Sequence, residues 1–252
     1  MSAPSVQRLG LIAGRGSYPL ELAACAKQQG VPCVVAFAFK GETDRAIERL
    51  ADDVHWLHLG RLEALLEALR QSGVRHAVMA GQIAPTHLFN LRFDRRALAL
   101  LARLRARNAA TIFGALAEEL QTAGVELLPA YQFMEAAMPV ASLLGRRPLS
   151  DSERQDVELG WLVARATSGL DIGQTVVVKQ GTILAVEAFE GTDAAIERAG
   201  RLGGPGAVVV KAARRGHDMR FDIPVIGLRT LNGLAKIKAA VLAVEAGRCI
   251  IL

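Results

Sequence analysis

Apolar positions in the first 130 residues fall into short unbroken runs separated by stretches of helical spacing. Leu9 to Ala13 reads as a strand buried on both faces, followed by Gly14-Arg15-Gly16. From Tyr18 to Gln29 the apolar residues Leu22, Ala23 and Ala26 recur at helical intervals, with Pro19 tolerated in the first turn and Gly30 closing the segment. Val31 to Phe39, Val54 to Leu59 and His76 to Ala80 are further strands. Arg61 to Gln71 is a helix stopped by Gly73. Helices near Arg95 to Arg105 and Thr111 to Thr122, then a strand at Val125 to Leu128, complete a βαβα rhythm, which predicts a parallel sheet with helices on both faces.

The pattern loosens between Pro129 and Asp151, where prolines stand at 129, 139 and 148. The domain connection is placed there, giving residues 1–132 and 133–252. Within it, Phe133 to Leu144 reads as a linker helix packed on the core, with an apolar wall for a ligand as the competing reading. Ser152 to Ser168 is a helix, with Ser150 or Ser152 as N-cap and Glu153 and Asp156 offered to its positive end. Thr175 to Lys179 and Thr182 to Phe189, joined at Gln180-Gly181, form a hairpin. After them come a helix from Thr192 to Leu202, strands at Ala207 to Lys211 and Asp222 to Ile226, and a helix from Thr230. Strands near Val241 to Val244 and Cys249 to Leu252 finish the pattern. The fold class is therefore α/β: an N-terminal doubly wound parallel sheet, Rossmann-like, and a C-terminal α+β domain rich in hairpins.

Composition narrows the function. At 51% hydrophobic and 22% charged the chain buries a real core, which excludes disorder, and three cysteines cannot staple 252 residues. No apolar run reaches a membrane span and the first residues carry no signal peptide, so a cytoplasmic location is expected. The net charge of +5 points to an anionic partner. Aromatics make up 5%, too few for base-stacking platforms, so a small phosphorylated ligand or an anionic membrane surface is favoured over nucleic acid.

Several chemistries lack their motif. The five histidines form no His-x-x-x-His pair and no Cys-x-x-Cys stands beside them, as zinc would require. There is no Gly-x-Ser-x-Gly elbow and no phosphate loop of the Walker type. Gly14-Arg15-Gly16 sits where strand meets helix, a place that favours phosphate, but Pro19 occupies the third glycine of the dinucleotide fingerprint, so NAD is disfavoured. Gln82, after the fourth strand, shares that sheet edge. Cys249-Ile250-Ile251-Leu252 matches a prenylation pattern, but a buried last strand is the preferred reading.

The densest chemistry lies between Phe189 and Gly227. Gly191, Thr192 and Asp193 open a helix whose free amides could hold an anion. Lys211 to Asp222 mixes four cations (Lys211, Arg214, Arg215, Arg220) with Asp218 and Asp222. Magnesium takes one or two carboxylates and fills its octahedron with water and phosphate oxygens. Asp218 and Asp222 are the metal-ligand candidates, with Lys211, Arg214 and Arg220 neutralising a diphosphate. A solvated loop with local ion pairs is the competing reading.

The runs Asp171-Ile172-Gly173-Gln174, Ala185 to Asp193 and Asp218 to Gly227 resemble the LpxI family, as do Leu11 to Pro19 and Val244-Glu245-Ala246-Gly247. The resemblance implies a magnesium-dependent (or manganese-dependent) hydrolase of lipid A biosynthesis. It would cleave UDP-2,3-diacylglucosamine to UMP and the acylated sugar 1-phosphate by attack on the sugar-side phosphorus. It also implies two domains with substrate held between them, a homodimer, and peripheral contact with the inner membrane. Family-based roles fall on Asp218, Asp222, Arg220 and His217 as catalytic residues. Gly14, Gly16, Gln82, Gly191, Thr192, Asp193, Lys211 and Arg214 are the expected substrate contacts. Two departures stand out: Arg214-Arg215-Gly216-His217-Asp218 replaces the usual Lys-Pro-Gly-Gln-Asp, and Asn108-Ala109-Ala110-Thr111 lacks the usual acidic pair. Two readings compete with the hydrolase: a non-catalytic nucleotide-sugar binder and an oxidoreductase built on the N-terminal domain.

Overall fold

The computed structural model describes residues 6–83, 92–105, 109–214, 216, 218–221 and 223–252. His217 and Asp222, like Asn108 and Arg215, lie outside the described residues. The chain divides into two compact units. One is Met1–Glu135 together with Asp218–Asp222, and the other is Ala136–His217 with Ile223–Leu252.

The first unit is built on β1 (Arg8–Ala13), β2 (Cys33–Phe39), β3 (Asp53–Leu57), β4 (His76–Ala80) and β5 (Glu126–Leu127), in the order β3-β2-β1-β4-β5. All its pairings are parallel. Strands buried on both faces must be apolar throughout, which is why β1 and β2 read as continuous runs rather than alternating ones. Helices α1 (Tyr18–Gln28), α2 (Leu62–Ser72), α3 (Arg95–Arg103) and α4 (Ala109–Thr122) connect and cover the strands. Phe37, Leu66, Leu69 and Leu120 are fully buried in one core cluster of this unit. The order reverses between β1 and β4, so the turns leaving those two strands meet at the topological switch point.

Asp218 to Phe221 belong to this unit by contact. The Met219 carbonyl accepts from Ala130 N–H at 2.7 Å, and the Phe221 ring sits 5.8 Å from that of Phe113.

In the second unit α5 (Asp151–Gly169) starts on a full capping box. Ser150 Oγ accepts from the Glu153 N–H and the Glu153 carboxylate accepts from the Ser150 N–H, so Ser150 rather than Ser152 is the cap. β6 (Thr175–Lys179) and β7 (Thr182–Val186) form the expected hairpin. Gln180 (φ 49) and Gly181 (φ 73) both occupy the left-handed region that a two-residue turn needs. The buried carboxylate of Asp156 accepts from both turn amides, at 2.8 and 2.7 Å.

α6 (Thr192–Gly203), β8 (Val208–Lys211), β9 (Val225–Ile226), α7 (Leu228–Lys236), β10 (Val241–Val244) and β11 (Ile250–Ile251) follow. The sheet order is β10-β8-β6-β7, with β11 pairing β9 separately. β8 and β10 are parallel, as are β9 and β11, so this half also contains crossovers that its hairpin did not announce. Both faces of the larger sheet are covered. Ile196, Ala199 and Leu234 pack on Val177 and Val209, while Ala164 packs on Val176, Val178, Val208 and Val210. Gly160 permits the second contact, since a Cβ there would lie 2.4 Å from Val210 Cγ2.

Two expectations are corrected here. Residues 133–144 hold a one-turn 3₁₀ helix, Glu135–Ala137, and no longer helix. Phe133 and Met134 are buried, whereas Val140, Leu143 and Leu144 are 58–75% exposed, so the segment splits into an anchored start and a solvent-facing loop. Of the strand expected to end at Ile226, the described residues form only Val225–Ile226, and Pro224 before them has no N–H for a ladder. The buried-strand reading of the C-terminus holds: Cys249 is 1% exposed beside β11, and burial pushes its thiol up to about 11.

Candidate functional site

The predicted site residues fall into three groups. The first is the switch-point turn of the first unit. Arg15 N–H donates to Gln82 O at 2.7 Å and Gln82 N–H returns a bond to Arg15 O at 3.1 Å. The Gly14 N–H donates to Ala80 O at 2.8 Å. The backbone donors of Gly14, Arg15 and Gln82 are therefore committed to joining the two turns, leaving none of them for a phosphate.

Gly14 is required by this junction, because a Cβ on it would lie 2.6 Å from Gln82 O. Gly81 is required from the other side, at 2.7 Å from Arg15 O. Gly16 differs: it faces open space at φ 99, just before the uncapped start of α1. What this turn keeps open for an anion is Gly16 and the Tyr18 N–H, since Pro19 has no N–H and Leu20 and Glu21 donate to Ser17 O. Sequence reading also missed Glu42, whose side chain is 1% exposed at the end of β2 with Arg15 Nε 3.9 Å away. Its distance past the β2 run hid it.

The second group gathers at one edge of the larger sheet in the second unit. Register places Lys211 at the end of β8 beside Thr175 at the start of β6, and Val244 at the end of β10 beside Lys211. Val186, whose strand β7 ends one residue before Glu187, pairs with Val176. Lys211 is 6% exposed, with Nζ 3.2 Å from Thr192 Oγ1 and 3.3 Å from Val225 O. Thr192 Oγ1 in turn donates to Glu187 Oε1 at 2.9 Å.

α6 begins at Gly191 (φ 84) with no side-chain cap, so among the described residues the N–H groups of Thr192, Asp193 and Ala194 have no protein acceptor. A buried ammonium beside an open helix N-terminus is an arrangement that attracts an anion. Asp193 faces elsewhere: its carboxylate accepts from Arg229 at 2.9 Å and from Thr230 at 3.1 Å, tying α6 to α7. The shallow groove of about 260 Å³ lined by Asp193, Glu197, Arg229, Asn232 and Lys236 is smaller than a drug-sized ligand site.

The third group is the charged loop. Arg214 is ion-paired with Asp171, a residue 43 positions away. Asp218 and Arg220 form a local fork, with Arg220 Nε 2.9 Å from Oδ1 and Nη2 2.5 Å from Oδ2. The Arg220 N–H also donates to Asp218 Oδ1 at 3.0 Å. The hydrogen-bonded carboxylate raises the Arg220 guanidinium further above its usual range. The local-ion-pair reading of this loop therefore holds for Arg220, whereas Arg214 is held by a carboxylate outside the loop; each guanidinium carries five donors and keeps some for a phosphate. His217 and Asp222, the other catalytic expectations, lie outside the described residues.

Among the described residues no three His, Cys, Asp or Glu side chains come together as a ready-made metal cage. Magnesium needs less than a cage, and a carboxylate such as that of Asp218 is the hard oxygen donor it prefers. Arg220 alone makes four contacts to the two Asp218 oxygens, so an ion held there would take the place of part of that fork. The donor chemistry of Asp218 fits the ion.

Residues 8–137 match the LpxI N-terminal domain and residues 140–252 the LpxI C-terminal domain. The chain belongs to the LpxI family. A relative from Caulobacter vibrioides, UDP-2,3-diacylglucosamine pyrophosphatase LpxI, is 30% identical over 98% of this chain and 91% of its own length. Among solved structures, the biotin carboxylase subunit of pyruvate carboxylase aligns at 14% identity and TM-score 0.28, over 73% of this chain and 38% of its own. The biotin carboxylase domain of Hydrogenobacter thermophilus 2-oxoglutarate carboxylase aligns at 13% identity and the same TM-score, over 77% of this chain and 40% of its own. This chain spans less than half the length of those two. No described helix of this LpxI chain is long and apolar enough to cross a membrane.

Proposed function

We propose that this protein hydrolyses the diphosphate of UDP-2,3-diacylglucosamine, releasing UMP and 2,3-diacylglucosamine 1-phosphate in lipid A biosynthesis. The observation that carries the reading is the relation to the Caulobacter pyrophosphatase, which runs through both units and not one module alone. Cleaving such a bond is mostly positioning and charge stabilisation, so the residues needed are cations, amides and a carboxylate rather than a nucleophile. Lys211 and the open start of α6 supply charge and N–H donors to phosphate oxygens. Arg214 and Arg220 contribute their remaining donors.

Asp218 is the residue that would hold Mg²⁺ or Mn²⁺, with Asp222 as the second carboxylate. When bound, such an ion neutralises charge building on the phosphate oxygens. Attack on the sugar-side phosphorus, a homodimer and peripheral contact with the inner membrane from the cytoplasm belong to the same proposal.

A second reading is a nucleotide-sugar binder without turnover, favoured by the Arg220 fork on Asp218 and by His217 in place of glutamine. Incubation with UDP-2,3-diacylglucosamine and Mg²⁺ in H₂¹⁸O separates the two. The hydrolase releases UMP and carries ¹⁸O into the sugar 1-phosphate. Tight binding with no UMP above buffer overturns the hydrolase and leaves the binder.

A further inference from the structure

We propose that Glu187, acting through the hydroxyl of Thr192, is a positioning residue that orients the Lys211 ammonium towards phosphate. The inference rests on the hydrolase reading for its substrate.

Its basis is the forced polarity of three side chains. An ammonium only donates, a carboxylate only accepts, and a hydroxyl has one proton and two lone pairs. Thr192 Oγ1 must therefore give its proton to Glu187 Oε1, 2.9 Å away, and accept from Lys211 Nζ at 3.2 Å. Thr175 Oγ1, 3.3 Å from Thr192 Oγ1, fills the remaining lone pair as a donor. The Thr192 hydroxyl is then saturated by the protein. Contact of Thr192 with substrate is thereby left to its backbone N–H at the open start of α6.

Lys211 keeps what Thr192 lacks. Thr192 and Val225 O take two of its three N–H bonds, and the third has no acceptor among the described residues. At 6% exposure a lysine with no compensating charge would be strongly disfavoured. Glu187 supplies that charge one hydroxyl away. A direct Lys–Glu pair would draw the ammonium onto the carboxylate, whereas the intervening hydroxyl holds it back with a donor unspent.

Glu187 is itself fixed. Its N–H donates to Thr175 O at 2.8 Å and its Oε2 lies 3.3 Å from Gln174 N. Gly173 lets that loop press in, since a Cβ there would meet Glu187 O at 2.0 Å. This gives a physical role to Gly173, Gln174 and Glu187, residues to which sequence reading assigned none.

The test uses the full chain carrying Thr192→Val, Thr192→Ser or Glu187→Gln, with kcat and KM for UDP-2,3-diacylglucosamine, affinity for inorganic pyrophosphate, and thermal unfolding measured on each. Thr192→Val should lower kcat on the order of 10²-fold, the scale for losing one oriented electrostatic contact, with KM within about 3-fold. Thr192→Ser should restore kcat to within about 3-fold of the parent, and Glu187→Gln should lose about 10-fold. A folded Thr192→Val with parental kcat, or a serine variant as poor as the valine one, overturns the inference. If Thr192→Val does not fold, Glu187→Gln decides, and parental kcat in it overturns the inference. If the parent does not hydrolyse the substrate, the hydrolase reading fails separately. Pyrophosphate affinity then decides: weakened in Thr192→Val and kept in Thr192→Ser supports the relay, and unchanged or absent binding overturns it.

Discussion

Gly14→Ala and Gly16→Ala look equivalent in the sequence and should behave differently. At Gly14 the new Cβ would lie 2.6 Å from Gln82 O and 3.1 Å from Gln82 N and C, all backbone, so the junction between the β1 and β4 turns must move. Overpacking of that kind costs typically 1–3 kcal/mol, and a rigid backbone neighbour puts it near the top of that range. The lost freedom of the unfolded chain returns about 0.4–1 kcal/mol, leaving roughly 2 kcal/mol of destabilisation. Gly16 meets nothing within 4 Å but sits at φ 99. Its substitution carries roughly 1–2 kcal/mol of left-handed strain, offset by the same entropy, for a net of about 1 kcal/mol or less. The chain's two tryptophans make this measurable by unit, because Trp56 lies in the first and Trp161 in the second. Urea unfolding followed by Trp56 fluorescence in a Trp161→Phe background should show Gly14→Ala lowering the midpoint by roughly 1 M, at a slope of about 2 kcal/mol/M. Gly16→Ala should instead shift it less than half as far and raise KM more than Gly14→Ala does. Gly14→Ala within about 0.3 M of the parent, with KM selectively raised, would refute the junction argument and return Gly14 to ligand binding.

Asp156→Ala should destabilise the second unit by roughly 2–3 kcal/mol. Each charged hydrogen bond contributes about 1.5–3 kcal/mol, but the Gln180 and Gly181 amides are exposed enough for water to recover part of it. The Trp161 transition should fall while the Trp56 transition stays in place, and equal shifts in both would contradict the assignment. Acid should loosen the start of α5 through Glu153, whose carboxyl the Arg147 guanidinium and then the Ser150 N–H hold down to about 2. A depressed folded value means this contribution is complete above the usual carboxylate range near 4.5 and fades as pH falls towards 2. Thermal midpoints from pH 5 to 2 should therefore fall less steeply in Glu153→Gln than in the parent, and parallel slopes would remove Glu153 from the account.

Much of the first unit was legible because parallel strands buried on both faces must be apolar end to end, and glycines mark where they stop. Leu9 to Ala13 and His76 to Ala80 appear in the fold almost as their pattern states. The hairpin was legible for the same local reason, since Gln180-Gly181 carries its own turn geometry. What stayed hidden depends on pairing across the chain. The parallel alignment of β8 with β10 has no local signature, and apolar residues at 140, 143 and 144 look like a helix face until their exposure is seen. At the candidate site, the resemblance pointed to loops but not to the division of labour within them. Gly14 serves a carbonyl 68 positions later, at Gln82. Arg214 answers Asp171, and Thr192 spends its hydroxyl on Glu187 and Lys211. Composition assigns charges to a loop, but only distances show which of them already have partners.

On the proposed reading, the Asp218 carboxylate is chemically required for cleavage and is not merely the partner of Arg220. This requirement is tested most directly by UMP release from UDP-2,3-diacylglucosamine in the presence of Mg²⁺, parent against Asp218→Asn, at enzyme in excess of substrate. The asparagine keeps the shape of the side chain and an acceptor for Arg220 while removing the charge. The rate constant for UMP release should fall on the order of 10²-fold or more while substrate affinity changes by only a few-fold. An Asp218→Asn protein that releases UMP at the parental rate would contradict that requirement.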